Sequence, residues 1–231
     1  MVQRKILITG ASGFIGSNIV KNISKSNKIF IISRDKKRNN SQKNLRFINY
    51  KNFDELNSKL KKIKIDIVIH CATHYVKEHS YSDIQKFANS NILFGNIILE
   101  NLNKMKVKKF INLSTVWENY NSIKDDNPNL YSVYKKIFSH LINFYKKKII
   151  NTSFYNIMLS DTFGVDDKRS KIINVLKDNY KINKKSTIIS KNLYLNLLNV
   201  EDIVDAINMI VKKDIKPGQY LLKNTKDPIN Y

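Results

Sequence analysis

The chain has 231 residues, 42% hydrophobic and 26% charged, a balance that supports one packed core with a small appendage and excludes a disordered chain. A single cysteine, Cys71, excludes a disulfide framework and any all-cysteine metal site, and fits a reducing compartment. The formal charge of +22 comes from 36 Lys and only 5 Arg, beside 31 Asn and 34 Ile; this chain-wide bias reads as a solvated surface, with nucleic-acid binding the minority reading.

The first residues, MVQRKILITG, run straight into a strand-like segment with no leader, and no window approaches 18 apolar residues. A cytoplasmic chain without a membrane span is the expectation. KILIT (5–9) precedes a glycine loop, and Phe14 to Ile23 has helical spacing. KIFIISR (28–34) and LRFINY (45–50) read as the next strands, separated by a polar stretch at 35–44, and 53–63 reads as a helix. KIDIVIHCA (64–72) is a fourth apolar run, 83–105 a long helix, KKFINLST (108–115) a fifth strand, 130–148 a helix and TSFYNIML (152–159) a sixth strand. Beyond 160 come a helix-like 169–182, a strand-like 186–198, a helix at 200–212 and GQYLLKN (218–224).

Short, continuously apolar strands alternating with helices predict an α/β fold: a Rossmann-type doubly wound parallel sheet with a small C-terminal substrate-binding cap. Residues 1–160 are expected to form the dinucleotide-binding core. Residues 161–231 form the smaller portion, interleaved with it, and 200–224 return to the sheet.

Half of the chain's six glycines, Gly10, Gly13 and Gly16, fall within ITGASGFIGSNIV, after a strand and opening a helix. The first permits a tight turn, the second lets backbone approach a phosphate, and the third lets the helix pack closely. Dinucleotide binding follows, with Gly10, Ser12, Gly13, Phe14, Ile15 and Gly16 as the cradle. The second strand ends Ser33-Arg34-Asp35, which puts an arginine where a ribose 2′-phosphate would sit; NADP(H) is favoured over NAD(H).

The G-x-x-G-x-x-G spacing with Phe14-Ile15 resembles the extended short-chain dehydrogenase/reductase family, and Asp66, His70 and Ala72 in KIDIVIHCA, Asn91, and LLNVEDIVDAI (197–207) extend the resemblance over essentially the whole chain. It implies an NAD(P)-dependent enzyme with a Ser/Thr, a Tyr and a Lys four residues later, the ammonium together with the oxidised nicotinamide's charge lowering the phenol's pKa. Three Tyr-x-x-x-Lys matches occur where about two are expected by chance, but only Tyr131/Lys135 opens a well-patterned helix between the fifth and sixth strands. Thr115, with Ser114 beside it, matches the family's hydroxyl partner. The resemblance further implies that Ala72 and Lys135 contact the cofactor and that Thr73, Ser114, Asp161 and Arg169 face the substrate; Asp161 stands where the family has an asparagine.

Family dehydratases place an Asp-Glu pair directly after the threonine; Val116 and Trp117 stand there, although Glu118 follows one residue on. HCATHYVKEHSYSDI (70–84) and LSDTFGVDDKRSKII (159–173) resemble the nucleotidyl-deoxysugar 4-ketoreductases of the CDP-abequose and CDP-paratose synthase type, so a keto-sugar reductase of surface-polysaccharide synthesis is expected. The rivals are a nucleotide-sugar epimerase with tightly bound NAD and a catalytically idle dinucleotide- or RNA-binding module. The expected partner is a nucleotide sugar, with no nucleic acid and no membrane, and the resemblance allows a homodimer. His70, His74 and His79 lack a completing carboxylate pair, so no metal is expected. Because the chain stops seven residues after Asn224, the substrate cap is expected to be minimal or partly missing.

Overall fold

The computed structural model describes residues 3–34, 44–187, 194–224 and 229–230. Asp35 to Arg38 and the middle of the strand-like stretch 186–198 lie outside them. In chain order the elements are β1 (Lys5–Thr9), α1 (Phe14–Ile23), β2 (Lys28–Ser33), β3 (Leu45–Asn49), α2 (Phe53–Leu60) and β4 (Ile67–His70). Then come α3 (Tyr81–Phe87), a π-helical stretch (Ala88–Leu93), α4 (Phe94–Glu100), α5 (Leu102–Met105), β5 (Lys109–Thr115) and a 3-10 turn (Val116–Ser122). The rest comprises α6 (Leu130–Lys148), β6 (Ser153–Leu159), β7 (Asp161–Phe163), α7 (Ile172–Lys181), β8 (Tyr194–Leu195), β9 (Leu197–Asn199), α8 (Val200–Lys212), β10 (Gly218–Leu222) and β11 (Ile229–Asn230).

Seven strands form one sheet in the order β10-β6-β5-β4-β1-β2-β3, every pairing parallel. Its strands are apolar on both faces because helices cover both, as a parallel sheet requires. On β1, Ile6 and Ile8 join the core under α1 and α8, while Leu7 joins the core under α2, α4 and α6. Helix α8 sends Ile203, Val204, Ile207, Ile210 and Val211 into the first of these cores, and β10 extends the sheet beyond β6. Residues 200–222 are thus part of the layered sheet. Among the described residues no helix is long and apolar enough to cross a membrane.

Polar caps set the helix starts. Asn129 accepts from the Ser132 amide at 3.0 Å at the head of α6, and Asn199 accepts from the Glu201 amide at 3.1 Å at the head of α8. The single long helix expected over 83–105 is interrupted. It begins at Tyr81, widens into the π-helical stretch, and breaks at Asn101, whose side chain bonds back to the Ile97 carbonyl and across to Asn57. The widened turn carries Asn91, buried, whose amide makes two bonds to the backbone of His74 at 2.6 and 3.1 Å. Such insertions re-aim a side chain at the cost of helix regularity. Here the side chain pins the loop after β4.

The order reverses between β1 and β4, and the loops leaving the C-terminal ends of β1, β2, β4, β5 and β6 gather there. This is where an open parallel sheet presents its crevice.

Candidate active site

The crevice is one cavity of about 890 Å³, within the size range of cofactor and substrate pockets. One end is built by the glycine turn. Gly10 has φ +67°, and a Cβ there would lie 2.6 Å from the Ala72 amide nitrogen, so both its conformation and its surroundings demand glycine. A Cβ on Gly16 would run into the Gly10 carbonyl oxygen, while Gly13, bonded from its amide to that oxygen at 3.0 Å, leaves slightly more room. Gly13 caps α1 without a side chain, so the first-turn amides of α1 face the cavity unoccluded. Thr9 fastens the neighbouring loop: its hydroxyl meets His70 Nδ1 at 3.0 Å and accepts from the Ala72 amide at 3.2 Å.

Ser12, Phe14, Ile15, Ala72 and Thr73 line this end, and Arg34 lines it with an exposed side chain. Tyr50, which takes the place after β3, stacks between Phe53 and Phe94 at 6.2 and 6.3 Å between centroids. Burial raises its phenol's pKa.

Thr115, Tyr131 and Lys135 line the same cavity. Lys135 points inward: its ammonium is buried, donates to the Leu113 carbonyl at 2.8 Å and lies 5.9 Å from the Tyr131 ring centroid. Burial brings its pKa down to about 8, opposed by Glu118 and then Cys71. The Thr115 hydroxyl accepts from the Trp117 amide at 3.2 Å, keeping its own proton available. Tyr131 lines the same cavity. Its pKa is raised, by burial first and then by Tyr75 and Glu118, with only Arg169 acting the other way. Among the protein's own groups, desolvation is the largest cause.

Further side chains complete this part of the cavity. Tyr75 meets the Tyr131 ring edge-on, 4.9 Å between centroids at 89°. Lys171 lies over the rings of Tyr75 and Trp117, 4.6 and 5.0 Å from their centroids, and donates to the Tyr75 hydroxyl at 3.3 Å. Trp117 lines the cavity, and Met105 and Phe110 are buried in the core. Asp161 lines the cavity beside Lys171 and Arg169, with burial raising its pKa and the two cations lowering it.

Arg169 also lines the cavity, but it is committed. Its Nε and Nη2 bond the two carboxylate oxygens of buried Asp167 at 2.7 and 2.8 Å, and Nη2 also reaches the Thr162 carbonyl. Every residue assigned to the site from sequence lines this one cavity, Ser114 included. Among the described residues no group of three or more His, Cys, Asp or Glu side chains is arranged to hold a metal ion.

The sequence model of the NAD dependent epimerase/dehydratase family matches residues 6–222. The chain belongs to that family. One epimerase/dehydratase family relative, the CDP-abequose synthase of Yersinia pseudotuberculosis, is 29% identical, the match covering 94% of this chain and 75% of that protein. The dTDP-D-glucose 4,6-dehydratase of Dictyostelium discoideum is 34% identical over 91% of this chain and 56% of its own length. In fold, the chain is similar to a UDP-glucuronic acid 4-epimerase variant from Bacillus cereus solved with NAD and a fluorinated UDP-sugar: TM-score 0.80, 20% identity, 96% of this chain and 78% of that one.

Proposed function

We propose that this member of the epimerase/dehydratase family is an NADPH-dependent reductase of a nucleotide-linked 4-keto-deoxysugar in the assembly of a surface polysaccharide of the O-antigen kind. The observation that carries the reading is the gathering of Thr115, Tyr131 and Lys135 around one cavity whose other end holds the glycine cradle and Arg34. The likeness to CDP-abequose synthase supports the sugar class.

The residues present fit a dinucleotide. Gly10 and Gly16 keep open a cradle that a Cβ would fill, and the uncapped start of α1 suits a pyrophosphate. Ser12, Gly13, Phe14 and Ile15 would hold that pyrophosphate, Arg34 a 2′-phosphate, Ala72 the passing backbone edge and Lys135 the nicotinamide ribose. When bound, the dinucleotide supplies the hydride.

The chain's own groups do the rest. Tyr131 gives its proton to the carbonyl oxygen of the sugar, and the burial that raises its pKa keeps that proton in place until it is needed. Thr115 donates a hydrogen bond to the same oxygen and fixes the carbonyl's direction. The Lys135 ammonium stabilises the phenolate left behind. Thr73, Ser114 and Asp161 contact the sugar, and Arg169 and Lys171 face its phosphates. Residues 1–160 then form the dinucleotide-binding core and 161–231 the smaller substrate-binding portion interleaved with it, in the cytoplasm that a single free cysteine suits.

Arg34 at the end of β2 favours a reductase that consumes NADPH over an epimerase that keeps NAD tightly bound. Water elimination lacks its acid–base pair: Val116 and Trp117 occupy those positions, and Glu118 is absent from the cavity wall. The test is NADPH oxidation measured against CDP-, dTDP-, GDP- and UDP-linked 4-keto-deoxysugars. Turnover of at least one is expected. No turnover of any, by protein shown to bind NADPH, defeats the reading, and tightly bound NAD with no net oxidation replaces it with the epimerase.

A further inference from the structure

A buried carboxylate stands one layer behind the reaction end of the cavity. Glu118, in the 3-10 turn after β5, is 4% exposed. The hydroxyls of Ser114 and Ser139 both donate to its Oε1, the second at 2.9 Å. Ser139 accepts from Asn156 at 3.1 Å, and Asn156 accepts from Asn112 at 2.7 Å, so the network runs from the turn through α6 into β6 and β5. The Glu118 backbone is fixed as well: its carbonyl accepts from Asn127 and Lys136, both at 3.1 Å.

A carboxylate this buried is costly unless hydrogen-bonded and electrically compensated. The two hydroxyls meet the first need. Lys136 does not meet the second, since its ammonium goes to Asp125 at 2.7 Å, Asn119 at 2.6 Å and the Glu118 carbonyl. Among the described residues no cation sits within ion-pair distance of the Glu118 carboxylate. The other buried charge at this place is the Lys135 ammonium. Lys135 and Glu118 are anchored to adjacent residues of β5, the ammonium on the Leu113 carbonyl and the carboxylate on the Ser114 hydroxyl. The other groups that act on Lys135 are His70 and Cys71 from β4 and its end and the Tyr131 ring of its own helix. Burial keeps His70 neutral, its pKa down at about 3, and Cys71 a thiol, its pKa up at about 12. That leaves Glu118 to balance the ammonium.

We propose that Glu118 is a positioning residue: its carboxylate holds Ser114 in place beside Thr115 and supplies the counter-charge of the Lys135 ammonium from behind the cavity. The inference rests on the reading of Lys135 as part of the reaction machinery. Its signature is electrical, because without that negative charge the ammonium gives up its proton at lower pH.

The experiment compares wild type, Glu118→Gln and Ser139→Ala by two readouts over pH 6 to 10. One is the rate of NADPH oxidation with the keto-sugar that wild type turns over. The other, independent of turnover, is NADPH affinity followed by the emission of Trp117, the chain's one tryptophan, which lines the cavity. Glu118→Gln keeps an oxygen for both serine hydroxyls but loses the charge. Its alkaline loss of affinity and of rate is expected to move down by about one pH unit. Ser139→Ala keeps the charge and removes one bond, so its alkaline limb is expected to stay with wild type. A Glu118→Gln profile that superimposes on wild type, or a Ser139→Ala profile that shifts as far, overturns the proposal. If Glu118→Gln fails to fold, Glu118→Asp, which keeps the charge, must hold the wild-type limb; a shifted limb there overturns it too. Should no keto-sugar be turned over, the function reading fails while the affinity titration still decides this one.

Discussion

The Arg169 guanidinium lies over the Phe14 ring, 4.4 Å from its centroid, while its Nε and Nη2 grip the carboxylate of Asp167. Phe14 opens α1 immediately after the glycine turn, so the clamp ties the segment after β7 to the dinucleotide cradle. Gly164 lies in the same contact: a Cβ there would come within 2.6 Å of Val200 and 3.2 Å of Phe14. Arg169→Lys keeps a charge but loses the two-pronged grip and the flat stacking surface, leaving a fully buried carboxylate short of donors. A stability loss of about 2 kcal/mol is expected, read as a lower Tm, together with weaker NADPH binding. Unchanged NADPH affinity would show that the clamp does not reach the cradle.

Gly16→Ala is expected to cost more than Gly13→Ala. The new methyl at 16 meets the backbone oxygen of Gly10, which no rotamer change can move, whereas at 13 the same oxygen is 3.3 Å away and a small shift suffices. Overpacking against backbone costs on the order of 2 kcal/mol, and the displaced turn should abolish dinucleotide binding. Denaturant unfolding and Trp117 emission on both variants check the order. Equal effects would mean that the turn has more slack than its geometry shows.

Much of this was legible before any coordinates. The runs KILIT and KIFIIS are strands because their interiors are continuously apolar, and α6 and α8 have the bounds read from the sequence. The glycine triad, Arg34 and the Tyr131/Lys135 pair were readable because their chemistry is local in sequence. Three things were not. Asn91 turns a long helix into an interrupted one through bonds to His74, which helical spacing does not register. Lys171 reaches Tyr75 and Trp117 only through the fold. The Tyr131 pKa depends on how much water the packed site excludes, which residue spacing does not register.

His70 gives the chain an acid weakness. It is buried among Phe94, Phe110 and Phe138, and its folded pKa of about 3 lies below the ordinary 6.5. The unfolded chain therefore takes up a proton between those values that the folded chain refuses, so stability falls as pH drops from about 6.5 toward 3. The single group contributes on the order of 4 kcal/mol across that range. His70→Gln should flatten the stability profile there, as measured by urea unfolding at several pH values. A variant profile as steep as wild type would put the acid sensitivity elsewhere.

Tyr131→Phe separates chemistry from packing. The ring contact with Tyr75 and the Lys135 bond to Leu113 both survive the loss of one oxygen, so Tm and NADPH affinity should stay within error of wild type. The proton donor is gone, however, and the reduction rate should fall by about 10²- to 10⁴-fold. A rate within tenfold of wild type would move the donor role to another group, with Tyr75 the neighbouring candidate.

On the proposed reading Arg34 sets the choice of cofactor. Its side chain is exposed at the end of β2 and lines the cavity, where the usual ribose-binding carboxylate position is taken by Ser33. A guanidinium there gains a charge-assisted bond only from a 2′-phosphate, so Arg34→Ser should weaken NADPH by about tenfold or more and leave NADH nearly unchanged. The two affinities, measured side by side on both proteins, form a cycle in which stability and general folding effects cancel. If NADH weakens as much as NADPH, Arg34 is reading the ribose or the adenine, the preference for the phosphorylated cofactor loses its support, and the tightly bound NAD of an epimerase becomes the better description of this cleft.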